Sequence, residues 1–345
     1  MANNGAGTAQ AFDATGQAQA TSVTISVPTG TAGPAAPTGE VFNDTSGFPI
    51  SANGQTGPAQ FLFATQQGTI AGFNSTVDPA NAVTVVDNSA TGAVYTGLAT
   101  GTVNGAPVIY AANFHNRKID VFDSSFSPVT LTSAFSDPRI PRRFAPFGVA
   151  NINGQIFVSY ARQDAQARSD VPGAGRGFVD VFTLDGVLVQ RLIQRGQLNA
   201  PWGMTLASAN FGQFSNDLLV GNVGDGTINA FNPSTGTFIG TLQNSSNAPI
   251  RIDGLLGLSF GNSATGATDS LFFTAGLGGA MHGLFGLIRA TSVPSIPATV
   301  IPPSIGGPVY TGATAPQNTP LPQVSGLLTG PASDILGGNS TGLLG

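Results

Sequence analysis

Apolar and polar residues alternate with a period of two over short runs along most of this chain, and turn residues separate the runs. The stretch 218–242 is the clearest case. Leu218, Leu219 and Val220 enter a Gly-rich turn, Gly224-Asp225-Gly226. An alternating run ending at Phe231 follows, then a second turn around Asn232, Pro233 and Gly236, then a last run to Leu242. Period-two patterning bounded by Gly, Asn, Asp and Pro predicts three antiparallel strands joined by tight turns.

The same paragraph of sequence recurs. A Phe follows each Gly-rich turn at positions 12, 73, 122, 182 and 231, so the steps are 61, 49, 60 and 49. A second marker, a Gly opening an apolar run, falls at Gly39, Gly97, Gly148, Gly203 and Gly257, with steps of 58, 51, 55 and 54. Two markers that advance together by about 50 to 60 residues describe repeated four-stranded sheets, the unit of a β-propeller. The predicted units start near Gly39, Tyr95, Phe147, Trp202 and Leu255. The recurring Phe side chains read as packing between sheets.

Residues 2–30 read as the outer half of one more unit, with strands at 5–12 and 22–27. The fold class expected is therefore all-β, a six-bladed β-propeller over 2–290. Its first blade is incomplete, its inner strands missing before residue 1, and an irregular tail follows over 291–345. The Pro-, Gly-, Ser- and Thr-rich tail is expected to be mostly disordered or loosely packed, and it is the weaker candidate to fill the incomplete blade. An unfilled position leaves strand edges that invite pairing with another chain, so a homo-oligomer through that edge is one expectation.

Composition narrows the function classes. Of 345 residues 41% are hydrophobic and only 8% charged, and the net charge is −5. A typical soluble protein carries about 25% charged residues. With no basic surplus, a nucleic-acid backbone is an unsuitable partner. There is no cysteine, which excludes disulfides and thiolate metal sites. No apolar run approaches the roughly 18 residues of a membrane span. The residues from Met1 to Gly5 have neither a basic nor an apolar segment of a signal peptide. The expectation is an internal methionine start or a trimmed segment.

In a propeller the loops joining second to third strands open on the same face as those joining successive sheets. On that reading the scarce polar and charged groups collect on one loop face. The candidate ligand-binding residues there are Asn113, His115, Arg142, Arg143, Arg162, Asp164, Asp170, Asn222, Asp225, Asp253 and His282. The loop from Arg162 continues to Gly177, and its Gly173-Ala174-Gly175-Arg176-Gly177 run could present backbone N–H groups to an anion. It opens no helix, so it is not a dinucleotide fingerprint. His115 and His282 occupy corresponding loops on opposite sides of the ring, a poor arrangement for one shared metal. Asp164, Asp170 and Asp225 could supply oxygen ligands to Ca²⁺, although no EF-hand spacing is present. No catalytic residue is assigned. No cofactor is expected, Ca²⁺ being the one open possibility. No phosphate-binding Walker loop occurs.

Several segments resemble a known family. They are Tyr110 to Asp123 (YAANFHNRKIDVFD), Gly177 to Phe182 (GFVDVF), Gln197 to Gly203 (QLNAPWG), Asp217 to Asn222 (DLLVGN) and His282 to Gly286 (HGLFG). They are similar to an uncharacterised family of mostly bacterial, exported six-bladed β-propellers, allied in architecture to the NHL and YVTN propellers. The resemblance covers roughly 2–290 and implies an extracellular or periplasmic location. It supplies no established activity or catalytic residue. Members usually begin with a signal peptide and an inner-strand segment, which this chain lacks.

Three functions remain. The first is a non-enzymatic binding or scaffold propeller that recognises protein, peptide or glycan through its loop face. The second is a Ca-dependent hydrolase or lactonase-like enzyme. The third is a surface-assembly protein.

Overall fold

The structure is a computed structural model that describes residues 1–13, 17–131, 133, 135–261, 268–280, 282–290 and 324–327. The architecture is all-β and propeller-like. In chain order the strands are β1 (Ala2–Asn3), β2 (Thr8–Phe12), β3 (Ala18–Ile25), β4 (Pro37–Phe42), β5 (Pro49–Ala52), β6 (Gln55–Pro58), β7 (Phe61–Thr65), β8 (Thr69–Phe73) and β9 (Asn81–Asp87). Next come β10 (Tyr95–Val103), β11 (Ala106–Asn113), β12 (Lys118–Asp123), β13 (Phe144–Ile152), β14 (Gln155–Arg162), β15 (Phe178–Phe182) and β16 (Leu188–Gln194). The last are β17 (Pro201–Leu206), β18 (Leu218–Asn222), β19 (Ile228–Phe231), β20 (Phe238–Thr241), β21 (Leu255–Phe260), β22 (Ser270–Gly276), β23 (His282–Ala290) and β24 (Val324–Leu327).

These strands form antiparallel meanders in the orders β4-β7-β8-β9, β10-β11-β12, β13-β14-β15-β16, β17-β18-β19-β20 and β21-β22-β23-β24. The hairpin β5-β6 is inserted between β4 and β7. β1, β2 and β3 pair in order, and β3 then joins β9 through a short parallel pairing at Thr24 and Ile25. The only sheet neighbour of β1 among the described residues is β2. Within 291–345 only β24 is described, and it lies on the edge of β23. The expectation for the rest of that tail falls outside the described residues. No helix among the described residues is long and apolar enough to cross a membrane.

The first strands of the five meanders stand side by side around a central lumen, and the marker glycines explain how. A Cβ on Gly39 would lie 2.5 Å from the Leu98 nitrogen, and one on Gly148 2.1 Å from the Trp202 carbonyl oxygen. One on Gly203 would lie 2.5 Å from the Leu256 oxygen. Gly97 is less tight, with Val149 N at 3.2 Å from its Cβ position. Successive inner strands approach backbone to backbone there, and only a residue without a side chain fits. Between sheets, Phe73, Phe122, Phe182 and Phe231 are buried, while Phe12 is half-buried. Phe122 packs with Ile50, Leu62 and Ile109; Phe182 with Tyr110, Phe135 and Ile156; Phe231 with Val181, Leu192 and Leu218.

Candidate functional site

Each inner strand carries a register shift at its marker glycine. The shifts fall between Pro37 and Glu40, Tyr95 and Gly97, Pro146 and Gly148, Pro201 and Met204, and Leu255 and Leu258. A bulge releases the extra residue from the ladder and re-aims its side chain. The released residues include Thr38, Thr96, Phe147, Trp202 and Leu256, and all five line one cavity of about 540 Å³. Below it, the inner strands from Gly39 to Ser259 surround a narrower space of about 330 Å³.

Trp202 lines both spaces. Its indole nitrogen donates to the Thr96 carbonyl oxygen at 2.7 Å, from the fourth meander to the second. This hydrogen bond fixes the ring as a partition across the lumen. The sequence markers contained these residues, since each precedes a marker glycine. Pattern alone did not show that the bulge turns them to the axis.

The cavity wall carries Phe42, Phe61, Phe272, Phe273 and Phe285 beside Phe147 and Trp202, together with small and polar residues. Its polar and charged members include Glu40, Gln66, Arg168, Ser169 and Asp170. The Asp170 Oδ2 atom is buried and has no hydrogen-bond partner among the described residues. Burial, with a smaller contribution from the Asp164 charge, raises the Asp170 pKa. A carboxylate held in this way favours a hydrogen-bond donor or a cation that enters the cavity.

Asp170 is the predicted residue that lines this cavity. Asn113 and Asn222 are buried and occupied by the fold. Asn113 Nδ2 donates to Asp120 at 2.7 Å, and its Oδ1 accepts from the Asn116 amide at 3.2 Å. Asn222 accepts from the Asn199 amide at 3.0 Å and donates to the Gln197 carbonyl at 2.7 Å. Asp164 closes its own loop by accepting from the Arg168 amide at 2.8 Å. Asp225 accepts from the Thr227 hydroxyl at 2.6 Å and from Asn199 Nδ2 at 3.2 Å. Asp253 accepts from the Gly278 amide at 3.0 Å. His115 Nδ1 lies 3.3 Å from the Ala167 carbonyl oxygen. Arg142 and Arg143 are exposed and Arg162 is half-buried. The side chain of His282 lies outside the described residues.

Asp164, Asp170 and Asp225 do not form a shared cation site: no three His, Cys, Asp or Glu side chains among the described residues converge as metal ligands. In the Gly-rich run after Asp170, the Gly173 amide already donates to Asn199 Oδ1 at 2.6 Å. Arg176 folds back to the Pro172 carbonyl at 2.7 Å.

A second polar cluster had no sequence signal. Asp180 on β15 stands opposite Arg191 on β16, with Arg191 Nε 3.6 Å from Asp180 Oδ1. Arg191 also meets Asp137 at 2.5 Å, and Arg139 Nε lies 3.3 Å from the same carboxylate. Both Asp side chains are fully buried. Burial, then the Asp137 charge, pushes the Asp180 carboxyl up to about 7. The buried Tyr160 hydroxyl beside it is raised well above its usual value, first by desolvation and then by Asp180. For Asp137, burial is outweighed by hydrogen bonds from Arg139 and Arg191, so its pKa is lowered. The cluster joins the second and third meanders and lies away from the lumen residues.

No family model matches the chain. Two uncharacterised proteins of Acanthamoeba polyphaga mimivirus are 36% identical to it, over 259 and 245 residues. The matches cover 73% and 68% of this chain and 62% and 63% of the viral proteins. The chain thus spans less than two thirds of the length of these curated relatives. Among solved structures, a Myxococcus xanthus glutaminyl cyclase aligns with a TM-score of 0.37 and 16% identity, covering 70% of this chain and 91% of that one. A Bacteroides thetaiotaomicron protein of unknown function aligns at 0.43 and 10%, covering 74% and 55%. Likenesses at these scores carry nothing about activity. The relatives are viral and uncharacterised, and the architecture of this chain is all-β and propeller-like.

Proposed function

We propose that this protein is a non-enzymatic binding module that takes a peptide through its loop face, into the cavity above Trp202. The observation that carries the reading is the unpartnered Asp170 oxygen in a wall that carries aromatic side chains. Glu40 in the same wall is paired with the Met1 amino group at 3.2 Å, so the Asp170 oxygen is the carboxylate acceptor left to an ammonium or amide N–H on an apolar body. The cavity volume is within the range of pockets that hold one or two side chains.

Trp202 is the only tryptophan in the chain, so its emission reports the cavity directly. A library of short peptides with free amino termini and an aromatic or aliphatic first residue is titrated against the protein. Saturable change in Trp202 emission, weakened at least tenfold by Asp170→Asn, supports the reading. No response to any peptide, affinity indifferent to Asp170→Asn, or a response to oligosaccharides alone overturns it.

A further inference from the structure

The inner-strand glycines pack in sequence around the ring, each against the backbone of the next inner strand, until Gly257. A Cβ there would meet Thr274 Oγ1 of its own sheet at 2.9 Å and the Trp202 ring at 3.7 Å, with no following inner strand beside it among the described residues. Gly257 lines the large cavity instead. Across that cavity, Phe42 at the end of β4 is 62% exposed, although it is a large apolar side chain on an inner strand. Met1 to Gly5, the segment containing β1, also line the cavity. An inner-strand position between β21 and β4 thus has an apolar wall on both sides and an unpaired strand edge within it.

We propose that residues 308–314 of this same chain occupy that position as an inner strand beside β1. Four observations support this occupant. Val309-Tyr310-Thr311-Gly312 repeats Val94-Tyr95-Thr96-Gly97, the segment that leads into β10. Gly312 lies 55 residues after Gly257, and the earlier steps between marker glycines run from 51 to 58. The chain beyond residue 290 returns to the domain, because β24 pairs with β23 and so tethers 291–323 at both ends. The connection also reaches. Residues 291–307 can span about 55 Å, and 315–323 about 30 Å, at roughly 3.3 Å per extended residue.

In this position Gly312 serves the close approach that Gly39, Gly97, Gly148 and Gly203 serve elsewhere. Thr311 takes the bulge position of Thr96 and faces the lumen. The cavity is then closed at its side and opens along the axis at the loop face. The inference concerns the backbone and is independent of any ligand.

The test is hydrogen exchange of the full chain without added ligand, read by mass spectrometry on peptides covering 308–314 and 1–7. At least hundredfold slowing of the 309–313 amides is expected. Thr311→Pro removes a ladder donor and a strand conformation. It is expected to return both segments to fast exchange while peptides from β13 to β16 stay protected. Exchange at unfolded-chain rates over 309–313 in the unmodified protein overturns the proposal, as does protection of 1–7 that Thr311→Pro leaves unchanged. The chain has no cysteine, so Asn3→Cys can be paired in turn with Val309→Cys, Thr311→Cys and Ala313→Cys. An intramolecular disulfide in one pair supports the proposal. Disulfides only between two chains would assign the position to a second copy and overturn it.

Discussion

The Trp202 indole N–H and the Thr96 carbonyl oxygen meet at 2.7 Å across the lumen, although 106 residues of chain separate them. A bulge on each of two inner strands makes this possible. One bulge frees the Trp202 side chain from the ladder, and the other leaves a Thr96 carbonyl available to it. The bond sets the ring across the channel and divides the upper cavity from the lower.

Trp202→Phe keeps most of the apolar surface and removes the donor. It leaves the Thr96 oxygen unpaired in a half-buried setting, a loss of about 1–2 kcal/mol. Urea denaturation followed by circular dichroism is expected to show a lower midpoint with an unchanged slope.

Gly148→Ala places a Cβ 2.1 Å from the Trp202 carbonyl oxygen and 2.8 Å from Ser159 Oγ. Neither strand can retreat without opening the ring. A loss of about 3 kcal/mol or failure to fold is expected. Gly240→Ala on an outer strand meets only the Phe214 ring at 3.1 Å. It is expected to cost under about 1 kcal/mol, since that ring can shift. Equal melting temperatures for the two variants would contradict the packing role of the marker glycine.

Asn222 and Asn113 were candidates for ligand contact, and their hydrogen bonds are spent inside the loops. Asn222→Leu leaves the Asn199 amide and the Gln197 carbonyl without their partner, at about 2–4 kcal/mol. The expected outcome is a lower melting temperature with peptide affinity changed less than threefold. Asp170→Asn is expected to do the reverse.

Asp180 gives stability a pH dependence of definite sign. Its folded pKa, pushed up to about 7 by burial and by Asp137, exceeds the ordinary value of 3.8. The folded state therefore holds this proton more tightly than the unfolded state. Its contribution is fully present below about pH 4 and is lost as pH rises toward 7. Asp170 acts with the same sign, and Asp137 with the opposite sign, its contribution lost as pH falls below 3.8. Asp180→Asn keeps the shape of the protonated acid and does not titrate. Denaturation between pH 4 and 8 is expected to show a flatter dependence for this variant than for the unmodified protein.

The architecture was legible in the sequence because it rests on local and repeated constraints. Alternation such as that of Ser22 to Ser26 sets which face of an outer strand is buried, with Val23 and Ile25 inward and Ser22 and Thr24 exposed, whereas Ile228 to Phe231 in the middle of a sheet is buried on both faces. The marker glycines and the recurring Phe residues report contacts that each sheet makes with its neighbours. Such signals recur at each step, so their spacing gave the succession of sheets. The hairpin β5-β6 occurs in one unit alone and had no repeat to reveal it.

The site was not legible in the same way. Thr38, Thr96, Phe147, Trp202 and Leu256 were visible as neighbours of glycines, but bulges turn them out of the ladder toward the axis. A bulge is a property of the pairing between two strands and cannot be read along one of them. Asp137, Asp180 and Arg191 come from a loop and two strands, and only the packing of two sheets makes them one buried cluster. Asp170 was a candidate among eleven loop residues, and tertiary structure singled it out by burying one oxygen without a partner. The sequence by itself determined the repeat, the buried face of the outer strands and the glycines that let the strands approach. Tertiary structure decided which polar groups the fold consumes and which it leaves facing the lumen, because hydrogen-bond satisfaction depends on partners distant in the chain.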